Sequence, residues 1–222
     1  MHQYLEFLQK YGPRIIDGSI VTVQQSVLAA LFAIGIALSI GFLRVAPHRL
    51  PRTIAMIYIE FFRGTSLIVQ LYWVFFVLPL FGMTFDKFLA GFVTVGLCLG
   101  GYGAELVRGA IQSVPQGQYE AALALNMSPL KRMTRIIFPQ ALLIMLPAWG
   151  NLFIELLKAT ALVALISVPE LMFETKQVNN ITFLSVQCFG TALIVYYLMS
   201  RLVITPSMRA FESFWAKRMG RV

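Results

Sequence analysis

Three polar side chains interrupt an apolar stretch late in the chain, and their spacing brings them together. Asn151, Glu155 and Lys158 stand at i, i+4 and i+7, so a helix would carry them on one face. A charge at the centre of a membrane costs about 2.5–3.5 kcal/mol, which argues against a stripe facing lipid. These groups could line a polar path through the membrane. Alternatively, Glu155 and Lys158 could pair with each other or with a partner subunit.

A second polar group interrupts an apolar stretch in the first half of the chain. Arg63 could form a structural ion pair with Glu60, because residues at i and i+3 are neighbours on a helix. Alternatively, Gly64 and Thr65 could loosen the helix, so that free N–H groups and Arg63 together attract the carboxylate of a substrate.

The sequence contains no constellation typical of an active site. Its two histidines, His2 and His48, both lie near the ends of apolar stretches. No stretch matches the phosphate-binding pattern G-x-x-x-x-G-K-[ST], and no His, Cys, Asp and Glu cluster has metal spacing. Cys98 and Cys188 lie in apolar sequence and are interpreted as small buried hydrophobic residues. We therefore expect no catalysis, no cofactor and no metal on this chain, and an energy source on another protein.

The composition places these polar groups in a lipid bilayer. Of the 222 residues, 58% are hydrophobic and 13% are charged, whereas soluble domains are roughly half apolar and about a quarter charged. A hydrocarbon core of about 30 Å requires about 20 apolar residues per helix. We predict an all-α membrane protein with a single domain over residues 1–222. Its five membrane-spanning helices are expected at about residues 18–43, 54–80, 88–106, 139–168 and 181–200.

Glycines are concentrated in the third predicted span. They are Gly91, Gly96, Gly100, Gly101 and Gly103. Small residues let neighbouring helices approach closely, so this composition indicates helix packing. Glu105 and Arg108, near the end of the same span, are compatible with a gate or with a simple ion pair.

Two segments outside the spans have weaker patterns. The apolar residues from Tyr4 to Tyr11 recur at helical spacing, which predicts a short amphipathic helix at a membrane surface. No basic tip precedes this segment, so we do not expect a signal peptide. Between the fourth and fifth spans we expect a polar loop after Pro169 and Glu170.

A polar segment at residues 115–138 separates the third and fourth spans. Residues 120–125 are good helix formers, and Asn126 tolerates the left-handed backbone with which helices often end. Ser128 could cap a second helix that begins at Pro129, where the missing N–H costs nothing. We expect an elbow of two short helices.

One face of this elbow is suited to docking. Tyr119, Leu123 and Met127 stand at i, i+4 and i+8, which would give an apolar stripe on a helix. Such a stripe could enter a groove on another protein. The alternative is an ordinary solvated helix in a loop.

The distribution of lysine and arginine predicts the orientation. The first loop, the elbow and the C-terminal tail, which extends to Arg221, hold most of the bases that flank the spans. The N-terminus and the other two loops hold only Lys10, Arg14, Lys87 and Lys176. Because basic loops stay in the cytoplasm, we expect a cytoplasmic elbow and C-terminus and an external N-terminus. Bases that flank spans also argue against a nucleic-acid partner.

Several motifs in order give the chain a family resemblance. Glu120-Ala121-Ala122 with Asn126, followed by the apolar residues and proline at 136–139, resembles the EAA loop of binding-protein-dependent ABC importer permeases. Further motifs resemble the polar amino-acid branch of that family, the histidine/glutamate/glutamine/arginine type. They are EFFRGTSLIVQ at 60–70, YGAE at 102–105, RGAI at 108–111, PQA at 139–141 and LLK at 156–158. The resemblance covers almost the whole chain.

The resemblance implies a type I ABC importer permease fold and a set of partners in the bacterial inner membrane. Two such subunits, identical or related, would enclose a path for an amino acid or similar zwitterion. A soluble binding protein would deliver the substrate, and a cytoplasmic ATPase dimer that holds ATP and Mg would pull on the elbows. Glu120, Ala121, Ala122 and Asn126 would be the coupling residues. The alternative is a stand-alone secondary transporter, although such chains are more often longer and show two repeated halves.

The chain departs from the family pattern at several positions. Asn126 replaces the usual glycine after the coupling helix, Ser66 replaces a proline, and Phe138 replaces a leucine. Where the branch often has Lys-Asp-Thr-Ser, residues 158–161 read Lys-Ala-Thr-Ala. This segment therefore does not identify the substrate. The candidate path residues are Arg63, Thr65, Asn151, Glu155, Lys158 and Thr160.

Overall fold

The computed structural model describes residues 2–218, which form helices and turns with no strand among them. Arg221 of the basic tail lies outside this range. The first five helices are α1 (His2–Arg44), α2 (Arg49–Gly64), α3 (Leu67–Tyr72), α4 (Lys87–Gln112) and α5 (Gln116–Ala124). The others are α6 (Pro129–Arg132), α7 (Phe138–Ala159), α8 (Leu171–Thr182), α9 (Ser185–Leu198) and α10 (Thr205–Arg218). Four helical runs in the described chain are long and apolar enough to cross a membrane, or five if the bent pair α2–α3 forms one span.

Helix α1 is one continuous helix of 43 residues, although Pro13 lies within it. The helix predicted from Tyr4 to Tyr11 is present, but it is the first part of α1 and not a separate short helix. Phe7 and Ile15 are buried against Leu171 and Val178 of α8. This packing holds the N-terminal segment of α1 against α8.

Helices α1 and α4 form the centre of the fold through small residues. The buried face of α1 carries alanines at helical spacing: Ala29, Ala33 and Ala37. A Cβ on Gly103 would lie 2.7 Å from the Cβ of Ala37, and one on Gly100 would lie 2.7 Å from Cγ2 of Ile36. Real Cβ atoms almost never approach so closely, so the glycines are required by packing, as predicted.

The second predicted span is broken. Helices α2 and α3 meet at an angle of 101°, with Thr65 in an extended conformation between them. The span predicted at about residues 54–80 is thus bent and not straight, and the break lies at Gly64 and Thr65, where a loosened helix was considered from the sequence. Gly64 favours an end because glycine has low helix propensity, and the Thr65 hydroxyl donates to the Phe61 carbonyl at 2.8 Å. After α3 the chain passes through a π turn and a 3₁₀ turn to Gly82, whose φ is +83°.

The elbow contains one separate short helix, α5. Helix α5 ends before Asn126, whose φ of 51° confirms the predicted left-handed conformation. The helix that begins at Pro129 continues through a π turn into α7, giving one helical run from Pro129 to Ile166. Ser128 occupies the N-cap position, but its side chain makes no cap hydrogen bond. The predicted second short helix is thus the first part of the fourth span.

The segment between the fourth and fifth spans is helical, and the expected polar loop was a wrong prediction. The fourth span ends in a 3₁₀ turn at Ser167, and α8 then begins after Glu170. The Glu170 carboxylate accepts a hydrogen bond from the Phe173 N–H at 2.8 Å, which caps α8. The fifth span runs with α10 as one helical stretch from Ser185 to Lys217, so the described part of the C-terminal tail is also helical.

Candidate functional site

The structure brings two candidate path residues to one pocket. A pocket of about 410 Å³ lies between the α2–α3 break, α4 and α7. Thr65 contributes from the break, Tyr102 from α4 and Glu155 from α7, and the rest of the lining is mainly apolar. Because a helix break leaves N–H groups without intrahelical partners, the broken second span supplies polar backbone beside this pocket.

Arg63 lies next to the same pocket through an aromatic contact. Its guanidinium carbon is 5.4 Å from the ring centroid of Tyr102, within the range of a cation–π interaction. Among the described residues, Arg63 forms no ion pair with Glu60, so the structural pair considered from the sequence is not formed. The guanidinium group of Arg63 therefore contacts Tyr102, a residue that lines the pocket.

Glu155 and Lys158 pair with each other. Lys158 Nζ lies 3.0 Å from Glu155 Oε1, and the two side chains are 60% and 64% exposed in the single chain. Asn151 is exposed as well. This polar face on a membrane helix is unsuited to lipid, so it must meet water or another subunit. Both interpretations of these residues, as an ion pair and as part of a path, agree with this placement.

Thr160 does not share this position. Its side chain is fully buried, and its hydroxyl donates to the Leu157 carbonyl at 2.7 Å. Buried hydroxyls on helices commonly bond to a carbonyl of the preceding turn. In the single chain, Thr160 is therefore a packing residue that supports α7.

Sequence analysis did not single out Gln70 and Tyr102 as candidate site residues. The Gln70 amide is buried and donates to Thr65 Oγ1 at 2.7 Å and to the Phe62 carbonyl at 3.2 Å. It thereby bridges the α2–α3 break. The only sequence signal was a polar residue shortly after Thr65 in apolar surroundings, a signal without meaning until the break is known.

Glu105 and Arg108 form an ion pair on α4. Arg108 also donates to the Gln112 Oε1 at 2.5 Å, so its guanidinium is engaged along its own helix. The simple ion pair considered from the sequence is therefore present. No group of three or more His, Cys, Asp or Glu side chains in the described chain could hold a metal ion.

The elbow exposes only part of its predicted coupling set. Glu120, Ala121 and Asn126 are exposed, but Ala122 is fully buried within the chain. The Ala122 carbonyl accepts a hydrogen bond from the Met127 N–H at 3.1 Å, which closes the turn after α5. Ala122 must be small to let the elbow pack on its own chain, and it does not face a partner as expected.

The predicted apolar stripe does not form. Tyr119 turns inward and its hydroxyl donates to the Ile111 carbonyl at 3.1 Å, while Met127 lies beyond the end of α5. Burial raises the pKa of the Tyr119 phenol, and the positive charge of Arg132 opposes that rise. The exposed apolar side chains of the elbow are instead Leu123, Leu125 and Leu130.

Comparison with known proteins reveals consistent similarities. A probable amino-acid ABC transporter permease protein of Sinorhizobium fredii is 39% identical over 218 residues, covering 96% of this chain and 88% of that protein. The glutamine transport system permease protein of Escherichia coli is 34% identical over 202 residues, with 90% and 92% covered.

Solved structures have the same fold. A crystal structure of an amino acid ABC transporter with histidines matches with a TM-score of 0.86 at 32% identity, covering 95% of this chain and 97% of that one. An inward-facing methionine ABC transporter matches with a TM-score of 0.79 at 20% identity, covering 91% and 96%, which shows the fold alone.

The family described as "Binding-protein-dependent transport system inner membrane component" matches residues 26–217. This range includes the broken second span, the elbow and the polar face of α7. The all-α membrane fold and the family resemblance predicted from the sequence are thereby confirmed. The chain belongs to the family of inner membrane components of binding-protein-dependent transport systems.

Proposed function

We propose that this permease subunit forms part of the path by which an ABC importer carries an amino acid or a related small zwitterion across the bacterial inner membrane. ATP and Mg bind to a separate ATPase dimer. The substrate class is supported by relatives named as amino-acid and glutamine permeases and by a structural neighbour described as an amino acid transporter.

The observation that carries this function is the elbow between the third and fourth spans. Helix α5 lies between two helical runs that are long and apolar enough to span a membrane, and it exposes Glu120 beside apolar side chains. Leu125 and Leu130 are 74% and 73% exposed in the single chain. An acidic group beside exposed leucines is suited to a groove with an apolar floor and a basic or amide partner. We assign this surface to the ATPase.

The path is assigned to the pocket beside the α2–α3 break. Arg63 and the N–H groups of the break would attract the carboxylate of a zwitterion, while Glu155 would attract its ammonium group. Thr65 supplies a hydroxyl at the same pocket. Lys158 and Asn151 extend this polar face toward the second permease subunit, which is either a copy of this chain or a related one.

The orientation follows from the basic residues. The elbow, the α1–α2 turn and the C-terminal tail together carry most of the arginines, so this end is assigned to the cytoplasm. The N-terminus is assigned to the outside, where a soluble binding protein delivers substrate. Periplasmic proteolysis of tagged termini tests the assignment: a protected C-terminal tag supports it, and a C-terminal tag removed from intact spheroplasts contradicts it.

Reconstitution into proteoliposomes tests the function. With the ATPase and binding protein present, we expect amino-acid uptake that depends on ATP in the ATPase compartment and is abolished by omitting either partner. Uptake driven by an ion gradient without the ATPase would instead support the alternative of a secondary transporter. Measuring which amino acids stimulate ATP hydrolysis would identify the substrate.

A further inference from the structure

A strongly basic pocket lies beside the elbow, separate from the candidate path. Its volume is about 550 Å³, and we call it the basic pocket. Three arginines line it from three places in the chain: Arg44 at the end of α1, Arg52 in the first turns of α2, and Arg132 at the end of α6. No acidic side chain lines it. Residues distant in sequence thus converge on one concave positive site.

The charges of this pocket are not neutralised within the described part of the chain. None of Arg44, Arg52 and Arg132 forms an ion pair with a described acidic residue. Arg52 donates from Nη2 to the Ala46 carbonyl at 3.0 Å, which leaves its other N–H groups available. Glu105 on α4 interacts electrostatically with Arg44, but its ion pair is with Arg108 and it does not line the pocket.

The neutral polar groups of the pocket leave the arginines as its main donors. The Tyr119 hydroxyl is directed to the Ile111 carbonyl. Gln112 accepts from Arg108 through its carbonyl oxygen, so only its NH₂ group is available to an incoming ligand. Apolar side chains such as Met133 and Ile137 complete the wall. The pocket therefore offers hydrogen-bond donors and positive charge on an apolar base.

These features match one ligand chemistry. Guanidinium groups bind phosphate oxygens through paired N–H donors, which gives both charge and geometry. Three positive charges around one pocket repel one another, and an anion between them relieves this repulsion. Arg44 is the last residue of a helical run that is long and apolar enough to span a membrane, and a basic residue at such an end favours the headgroup region. Basic pockets between such helices are a common form of headgroup site.

We propose that the basic pocket binds a phosphate group, with Arg44, Arg52 and Arg132 as its ligands. The phosphate comes either from an anionic phospholipid or from a soluble phosphate compound. Because the ligands lie in the α1–α2 turn and in the elbow, the bound phosphate ties the elbow to the end of α1. The proposal goes beyond the proposed transport function and depends neither on the substrate nor on the direction of transport.

Binding to the full chain in its assembled complex tests the proposal. The pocket variant carries Arg44→Gln, Arg52→Gln and Arg132→Gln. The control carries Arg49→Gln, Arg135→Gln and Arg209→Gln, which removes the same charge from exposed positions that do not line the pocket. The single variant Arg52→Gln, at an exposed side chain, serves if the triple variant does not fold.

Two probes distinguish the source of the phosphate. One is inorganic phosphate, compared with chloride at equal ionic strength, and the other is a set of phosphatidylcholine nanodiscs with or without phosphatidylglycerol. Bound lipid is measured by native mass spectrometry and stabilisation by thermal unfolding. We expect one probe to bind the wild type and the control at least about tenfold more tightly than the pocket variant, as loss of a charge-assisted contact implies.

Each outcome decides the proposal. Preferential binding of inorganic phosphate identifies a soluble source, and preferential retention of phosphatidylglycerol identifies a lipid source. Equal binding by the pocket variant and the control, or no binding of either probe, overturns the proposal. If the pocket variant loses only its association with the ATPase, the arginines pair with acidic residues of that partner and the phosphate site is likewise refuted.

Discussion

The hydroxyl of Tyr196 donates a hydrogen bond to the buried Glu170 carboxylate, with 2.5 Å between the two oxygens. The same carboxyl accepts from the Phe173 N–H at 2.8 Å and lies 3.2 Å from the Thr22 hydroxyl. Tyr196 belongs to α9, Phe173 to α8 and Thr22 to α1. One acidic side chain therefore joins three helices.

Replacing this side chain should destabilise the protein. Glu170→Ala leaves the Tyr196 hydroxyl and the Phe173 N–H without their acceptor, and each unsatisfied buried donor costs about 1–3 kcal/mol. We expect a lower midpoint of thermal unfolding in detergent. Glu174→Ala, which removes a more exposed ion pair with Arg14, is the control and should have a smaller effect. Equal decreases in the unfolding midpoint would mean that the buried hydrogen bonds of Glu170 stabilise the protein no more than the exposed ion pair does.

The contribution of Glu170 should depend on pH. Burial raises its pKa above the ordinary value of 4.5, against the lowering effect of its hydrogen bonds. The folded protein therefore holds this proton more tightly than the unfolded chain, so the resulting stability is complete at acid pH and decreases as pH rises through the raised pKa. The Glu170→Gln variant does not titrate at this position and serves as the reference. The free energy of unfolding of the wild type, relative to that of this variant, should decrease from about pH 4.5 toward neutrality. A constant difference between the two proteins would contradict the shift.

Reversing the charge on the elbow should uncouple transport. Glu120→Lys should reduce uptake at least about tenfold, because a charge-assisted hydrogen bond to the ATPase is worth about 1.5–3 kcal/mol. The protein should still insert in the membrane, since Glu120 is exposed. Glu212→Lys makes the same change at an exposed position on α10 and should leave uptake intact. Normal uptake by Glu120→Lys would remove this residue from the coupling surface.

Removing the ammonium group of the α7 pair should alter substrate handling. Lys158→Ala leaves Glu155 without its partner 3.0 Å away, at a pocket that we assign to the path. We expect about a tenfold change in substrate affinity or in substrate-stimulated ATP hydrolysis. Lys176→Ala, on the exposed surface of α8, is the matched control. Unchanged values for both measurements would show that Lys158 lies off the path.

Adding a methyl group between α1 and α4 should be costly at one glycine and harmless at another. Gly103→Ala places a Cβ 2.7 Å from that of Ala37, and separating the two helices should cost about 1–3 kcal/mol. Gly109→Ala on the same helix meets nothing within 4 Å and should be neutral or slightly stabilising. Thermal unfolding of the two variants provides the comparison. Similar midpoints would contradict the close packing.

Local features of the structure were predictable where a local cause decides them. The glycines of α4 indicated close packing, and Asn126 indicated a left-handed helix end, because both follow from the properties of single residues. Hydropathy located the long apolar helices. The number of spans stays a prediction, since it depends on whether the bent pair α2–α3 crosses the bilayer as one unit.

The remaining features depend on contacts between distant segments. Phe7 belongs to α1 and is buried because α8 packs against it. Ala122 is buried because the elbow folds back on its own chain. The pocket combines Thr65 with Glu155, which lie in different spans. Spacing along one helix could place Glu155 and Lys158 on one face, but it could not place Tyr102 beneath Arg63. Such pairings are tertiary and have no signature in a single sequence.

The length of α1 has a mechanical consequence. At 1.5 Å per residue, its 43 residues extend about 65 Å, roughly twice the thickness of the hydrocarbon core. One half is clamped by the ion pair between Arg14 and Glu174, at 2.9 Å, and the other half ends at Arg44. A rod of this kind acts as a lever, so a tilt imposed at one membrane surface swings its far tip sideways at the opposite surface.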